Sequence, residues 1–377
     1  MKKISNVVHD KICTYPPENP FGYFGWPSIT KTSNGTLIAA GSGFRNTHVC
    51  PFGKSVVFRS NDQGNTWSDA QIAVTSQIDV RDCGLTPLSN NRVLLSYFTS
   101  DTRFYYPPTR NSSPKGINFG PLMASWNDDM VANELGSFTR ILEADGTIGP
   151  RRAVPVSAPH GPIVGKDGAL YYAGSMFGKK DERGNWTFSM QNYKSRPVIA
   201  LYKSLDEGEN WLPVIEDIPL EADEENLVFC EPHLIEKTTG GFIIFLRGET
   251  GPNKLATWSV ESDVTGTVWS APKKIATGAP PHVMRHSSGV LILSTGFRKE
   301  PYGEMVSFSI DDGATWDADY FLHDDGICSD LGYPSTVELD DGSLMTAYYQ
   351  SPAHFTPPGI LCTKWELPDK YKKDFNK

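Results

Sequence analysis

Three short segments of this chain obey one rule. Ser60, Asp62, Gly64, Thr66 and Trp67 recur as Ser204, Asp206, Gly208, Asn210 and Trp211, and again as Ser309, Asp311, Gly313, Thr315 and Trp316. Each copy reads S-x-D-x-G-x-[TN]-W and follows a run of strand-forming residues. The pattern is that of a tight hairpin. The Asp accepts backbone N–H bonds, the Gly takes a positive φ, and the Trp buries its ring against the next strand. A worn fourth copy lies at Gly266-Thr267-Val268-Trp269. A turn repeated in this way along 377 residues points to a fold made by repeating one small antiparallel sheet.

A second repeat counts the sheets. Six times an apolar strand runs into a hairpin dipeptide and a second strand follows. The strands open at Pro27-Ser28-Ile29, Gly84-Leu85-Thr86, Gly161-Pro162-Ile163, Pro232-His233-Leu234, His282-Val283-Met284 and Pro334-Ser335-Thr336. Their turns are Asn34-Gly35, Asn90-Asn91, Asp167-Gly168, Gly240-Gly241, Ser288-Gly289 and Asp341-Gly342. Turn-to-turn separations of roughly 50 to 77 residues suit four-stranded blades with some long loops. The sequence therefore predicts an all-β, six-bladed β-propeller. Residues 1–377 are expected to form one closed domain, with hairpins starting near 26, 82, 160, 231, 282 and 333. The 34 glycines, 28 prolines and 11% aromatic residues fit such a turn-rich protein, and no helical apolar period of useful length competes.

A formal charge of −9 argues against a nucleic-acid partner, which requires a basic stripe. The N-terminal lysines are followed by Asn6, His9 and Asp10 rather than an apolar run, and no stretch has the length of a membrane span. The six cysteines (13, 50, 83, 230, 328 and 362) include no CxxC pair. They are expected to be reduced thiols in a cytoplasmic protein, with no metal and no cofactor.

In a propeller the innermost strands line the axis, so residues just before each hairpin face one mouth. In order these are Trp26, Asp82, His160, Glu231, His282 and Tyr333. The second strands of blades 1, 4 and 5 end near that rim with Arg45, Arg247 and Arg298. Arginines converging without acidic partners would bind a carboxylate through their planar forks.

At this point the chain resembles the sialidase (neuraminidase) superfamily over most of its length. The repeated turns are the Asp boxes (BNR repeats) of such propellers. The resemblance implies an exo-glycoside hydrolase acting on a small glycan with a terminal acidic sugar: a sialic acid, a related 2-keto acid or a uronate. It implies three arginines on the substrate carboxylate, a tyrosine nucleophile assisted by a glutamate, and an aspartate acid/base. Glu231 in Cys230-Glu231-Pro232, Arg247, Arg298 and Tyr333 in Gly332-Tyr333-Pro334-Ser335 match that plan in chain order. A neutral phenol is not repelled by an acidic substrate, and Glu231 would take its proton.

The first half departs from the pattern. Trp26 stands where the resemblance implies the first arginine, and would offer a stacking face for a sugar ring. Arg45 would partly compensate, with Arg81 close by in Asp79-Val80-Arg81-Asp82. No acid follows Arg45, which leaves His48, or Asp79 and Asp82, as candidate proton donors. Asp82, beside Arg81, is expected to stay ionised and to suit a base better than an acid. His160 and His282 complete the expected substrate contacts. Two other readings stay open: a lyase or a His/Asp-dependent glycosidase on an acidic sugar, and a non-catalytic carbohydrate-binding propeller.

Overall fold

A computed structural model describes residues 1–106, 112–113, 115–190, 198–252 and 254–372. Six blade sheets, antiparallel except where Lys2–Lys3 joins the fifth in parallel with Asp317–His323, follow one another along the chain, and each opens with the strand nearest the axis. Blade 1 runs Tyr23–Lys31, Leu37–Arg45, Lys54–Ser60 and Gln71–Val74, and blade 2 runs Asp79–Pro87, Val93–Ser100, Ser137–Leu142 and Arg152–Ala153. Blades 4 and 5 repeat this order from Val228–Glu236 and from Pro281–Arg285. In blade 3 the inner strand is split into Val156–Ser157 and Ile163–Val164, both paired with Leu170–Met176.

The ring closes with the chain's own beginning. Blade 6 takes its inner three strands from Gly332–Glu338, Leu344–Gln350 and Gly359–Trp365, and its outer strand is Val8–Cys13. This pairing ties Val8–Cys13, near the start of the chain, to the last blade, so that the two ends of the ring are joined by backbone hydrogen bonds. Among the described residues no helix is long and apolar enough to cross a membrane.

The three S-x-D-x-G boxes make the hydrogen bonds that their spacing predicts. In the first, Asp62 accepts from the Ser60 hydroxyl at 2.7 Å and from the Thr66 N–H at 2.9 Å. The same bonds recur around Asp206 and Asp311. In the worn copy Asp263 takes the Thr267 and Val268 N–H groups, and Trp269 Nε1 donates to Gly266 O at 3.0 Å, as Trp316 does to Gly313.

These boxes and the short hairpins lie on one face. The long connections lie on the other: residues 46–53 of blade 1, the described residues 101–106, 112–113 and 115–136 of blade 2 with its helices Gly120–Ala124 and Asp128–Glu134, and 324–331 before blade 6. Long loops on a rigid scaffold are where a binding mouth is built.

Adjacent inner strands are stitched together by side chains. Ile29 N–H donates to Ser335 Oγ at 3.1 Å, Val283 N–H to His233 Nδ1 at 3.0 Å and Thr336 N–H to His282 Nδ1 at 3.3 Å. His160 Nδ1 meets Ser28 Oγ at 3.1 Å. The three imidazoles pack on one another at centroid separations of 4.6 to 5.6 Å. Since His233 and His282 accept N–H bonds at Nδ1, their neutral rings carry the proton on Nε2. The axis is thus plugged by a histidine cluster in place of an aliphatic core.

Candidate active site

Four inner strands carry the same irregularity. Between Gly25 and Ser28, Arg81 and Gly84, Cys230 and His233, and Gly332 and Ser335, two residues of the inner strand oppose one on its partner. The first residue of each bulge is left-handed: Trp26 at φ 53°, Asp82 at 47°, Glu231 at 48° and Tyr333 at 53°. Such a conformation is costly for bulky side chains, on the order of 1–3 kcal/mol each. It also re-aims the side chain, as bulges beside binding sites do. Three of the four bulges continue with a proline (27, 232 and 334), which needs no ladder partner for its missing N–H.

Two of the re-aimed groups meet. Tyr333 OH donates to Glu231 Oε1 at 2.6 Å, and Arg247 Nη1 holds Glu231 Oε2 at 3.0 Å. Burial raises the Tyr333 hydroxyl well above its ordinary pKa, and the charges of Glu231 and Asp82 add to this. Burial pushes Glu231 the same way, but Arg247, the Tyr333 hydrogen bond and Arg298 outweigh it and hold the carboxyl below its usual range. The pair is therefore a neutral phenol beside an ionised acceptor.

The arginines divide differently from the sequence expectation. Arg45 is fully buried, with both ends of its fork closed on Asp79 at 2.6 and 2.8 Å and further bonds to the carbonyls of Val80 and His48. It cannot reach a ligand, and the expected substrate contact is corrected to a structural one. Replacing Arg45 by Gln leaves Asp79 buried without its partner, and is expected to lower unfolding free energy by about 3–5 kcal/mol in urea titrations.

Arg247 is also engaged, by Glu231 and by Glu249 at 2.8 Å. Arg298 donates Nε to Leu331 O at 3.0 Å, lies 5.5 Å over the Tyr333 ring, and has no acceptor for its buried Nη2 among the described residues. Arg81, 8% exposed and at the strand position before Asp82, has its ion-pair partner Asp79 no nearer than 3.8 Å. Arg81 and Arg298 are the forks with capacity for an anion.

Three further expectations change. Trp26 is 1% exposed, with the guanidinium groups of Arg81 and Arg45 4.6 and 5.0 Å from its ring and His48 edge-on at 4.8 Å. It is a packing platform for the arginines and offers no face to a sugar. His160 and His282 belong to the buried axial cluster and are not substrate contacts. Asp82 does not stay fully ionised near neutrality. Burial raises its pKa to about 6 against the pull of Arg81, with Glu231 adding repulsion.

His48 stands at the mouth with Asp330, which sequence reading did not single out. Asp330 accepts from His48 Nδ1 at 3.0 Å, Tyr349 OH at 2.9 Å and Tyr23 OH at 3.0 Å. Its only sequence signal is its place three residues before Tyr333. Tyr23 and Tyr349 also escaped notice, since strand tyrosines usually pack in blade cores. Here they form an aromatic group with Trp26 and Tyr333.

The comparisons bear on the fold. No known family profile matches the chain, and no curated protein matches it in sequence. Among solved structures, a protein of unknown function from Dyadobacter fermentans is 20% identical, with a TM-score of 0.71 over 97% of this chain and 100% of its own. The Hadza microbial sialidase Hz136 is 16% identical, with a TM-score of 0.61 over 94% of this chain and 68% of its own. The fold is that of the sialidase-like six-bladed propellers. An α-L-arabinanase from Penicillium chrysogenum, solved with arabinobiose, shares it at 12% identity and a TM-score of 0.61, over 97% of this chain and 99% of its own. Propellers of this fold thus include a sialidase and an arabinanase, and the fold alone assigns no substrate.

Proposed function

We propose that this sialidase-like propeller is a retaining exo-glycoside hydrolase that removes a terminal acidic sugar, a 2-keto acid or a uronate. The observation that carries the reading is the 2.6 Å hydrogen bond from Tyr333 to an ionised Glu231, beneath guanidinium groups with spare capacity. In the first step Tyr333 Oη attacks the anomeric carbon and its proton passes to Glu231 Oε1. The bond to the aglycone oxygen breaks, and that oxygen takes up a proton. Water then attacks the glycosyl–tyrosine bond, and the phenol is restored by the proton held on Glu231. The anomeric configuration is retained because two displacements occur at one carbon.

Arg81 and Arg298 would hold the substrate carboxylate. Below pH about 6 Asp82 is largely protonated, so it leaves the charge of Arg81 available to the incoming anion. The neighbouring sialidase and arabinanase support glycoside hydrolysis in general, while the unpaired arginine capacity supports an acidic sugar.

The test is a panel of fluorogenic sialic acid, 2-keto acid and uronate glycosides, each paired with its methyl ester. Esterification removes the charge and keeps the ring. It is expected to lower kcat/KM about 10- to 150-fold, the range of a charge-assisted hydrogen bond. Equal turnover of acid and ester would sink the acidic-sugar assignment. A product with a new ring double bond, seen by its ultraviolet absorbance, would mean a lyase.

A further inference from the structure

The pocket needs a proton donor for the departing oxygen, and the segment after Arg45 supplies no acidic residue there. It supplies His48, on the loop between the second and third strands of blade 1. Across the junction with blade 6 stands Asp330. An ionised carboxylate only accepts hydrogen bonds, so the 3.0 Å contact fixes the proton of His48 on Nδ1 and commits Nε2 to other partners. Asp330 is itself held by two phenols, Tyr349 at 2.9 Å and Tyr23 at 3.0 Å, which come from different blades. The His48 ring is further oriented by its edge-on contact with Trp26, whose other neighbours include Tyr333. A histidine with one nitrogen tied to a buttressed carboxylate and the other free to exchange a proton is the arrangement that general acid–base catalysis uses.

We propose that Asp330, buttressed by Tyr23 and Tyr349, positions His48 to protonate the leaving oxygen and then to deprotonate the attacking water, a role that rests on the glycosidase reading of this pocket. The proton balance closes. The His48 imidazolium gives its Nε2 proton to the aglycone oxygen as the glycosyl–tyrosine bond forms, and the neutral ring takes one from water as that bond breaks. Asp330 touches no substrate; it is a positioning residue.

The charges around His48 define how it should titrate. Desolvation lowers its pKa, Asp330 opposes this, and Arg81 and Arg45 reinforce it. Bond-forming turnover should therefore fall on the alkaline side through a pKa below the ordinary value of about 6.5 for histidine. Removing the carboxylate charge should move that limb further down.

The experiment compares wild type, His48→Ala, Asp330→Asn, Asp82→Asn and Tyr333→Phe on the methyl and para-nitrophenyl glycosides of N-acetylneuraminic acid and glucuronic acid. A methyl leaving group needs a proton and a nitrophenyl group hardly does. Asp330→Asn and His48→Ala are expected to lose about 10²- to 10⁴-fold in kcat/KM, which reports the first bond-breaking step alone, on the methyl glycoside and less than about tenfold on the nitrophenyl one. The alkaline limb of Asp330→Asn should shift to lower pH. Equal losses on both glycosides with an unmoved limb would make Asp330 a structural clamp and overturn the proposal. So would the leaving-group pattern appearing in Asp82→Asn in place of Asp330→Asn. Loss in Tyr333→Phe with none in Asp330→Asn overturns the dyad alone, and the converse overturns the nucleophile assignment alone. No turnover of any of these glycosides by wild type would overturn both.

Discussion

Tyr333→Phe should fold like the wild type and turn over an acidic glycoside on the order of 10⁴-fold more slowly, or worse. Removing a nucleophile that forms the covalent intermediate costs this much or more where it has been measured in enzymes of this logic. The structure explains why the fold should survive. The hydroxyl's hydrogen bond goes to Glu231, which keeps Arg247, while the ring keeps its contacts with Trp26, Tyr349 and Arg298. A hydrogen bond to an ionised group contributes about 1.5–3 kcal/mol, which bounds the loss expected in the urea titration. The left-handed backbone at 333 is equally strained for either residue, because both carry an aromatic ring on Cβ. The check is steady-state kcat on the best acidic glycoside together with a urea titration of both proteins. Turnover within about tenfold of wild type would remove Tyr333 from the bond-making step and shift the chemistry to His48.

The parts of this molecule that repeat were legible in its sequence. Asp boxes and hairpin dipeptides act through local backbone chemistry, so Asp62, Asp206 and Asp311 make in space the bonds their spacing implies. Part of the inner-strand register also came through, because a bulge leaves a trace: a left-handed residue followed by proline, as in Trp26-Pro27, Glu231-Pro232 and Tyr333-Pro334. Blade 2 hides the same bulge behind Asp82-Cys83, and only alignment with its sister blades reveals it.

Pairing between blades was not legible. Arg45 and Arg81 look alike on paper. Their fates diverge because Asp79 closes around one fork and stands 3.8 Å from the other. The same three-dimensional contingency moved Trp26 from sugar platform to arginine platform, and brought Asp330 to His48 across 282 positions of chain. Asp82 failed for a different reason. Its neighbour in sequence is a cation, but burial decides its titration, and burial belongs to the finished ring.

Acid should weaken this fold through its axis. His160, His233 and His282 are 2%, 4% and 8% exposed, and desolvation lowers all three, His233 to about 3. The unfolded chain binds these protons near pH 6.5 and the native ring does not, so stability falls as pH drops below about 6.5. At pH 5 the loss is about 2 kcal/mol for each histidine that stays neutral in the fold. Asp82 and the buried Glu304 titrate in the opposite sense, because burial raises both and the native state takes up their protons first. The net slope of the wild type is therefore shallower than the histidines alone would give. The double variant His233→Asn/His282→Asn isolates them, since an Asn oxygen can replace each Nδ1 as acceptor for the N–H of Val283 and of Thr336. At pH 8 the variant should be the less stable protein, having lost two packed rings. At pH 5 its deficit should shrink by about 4 kcal/mol, because two proton-uptake sites of the unfolded chain are gone. Urea titrations at the two pH values give the comparison. A deficit that stays constant would mean that the axial histidines already carry protons in the native ring, and that the stitching between blades does not depend on their neutral form.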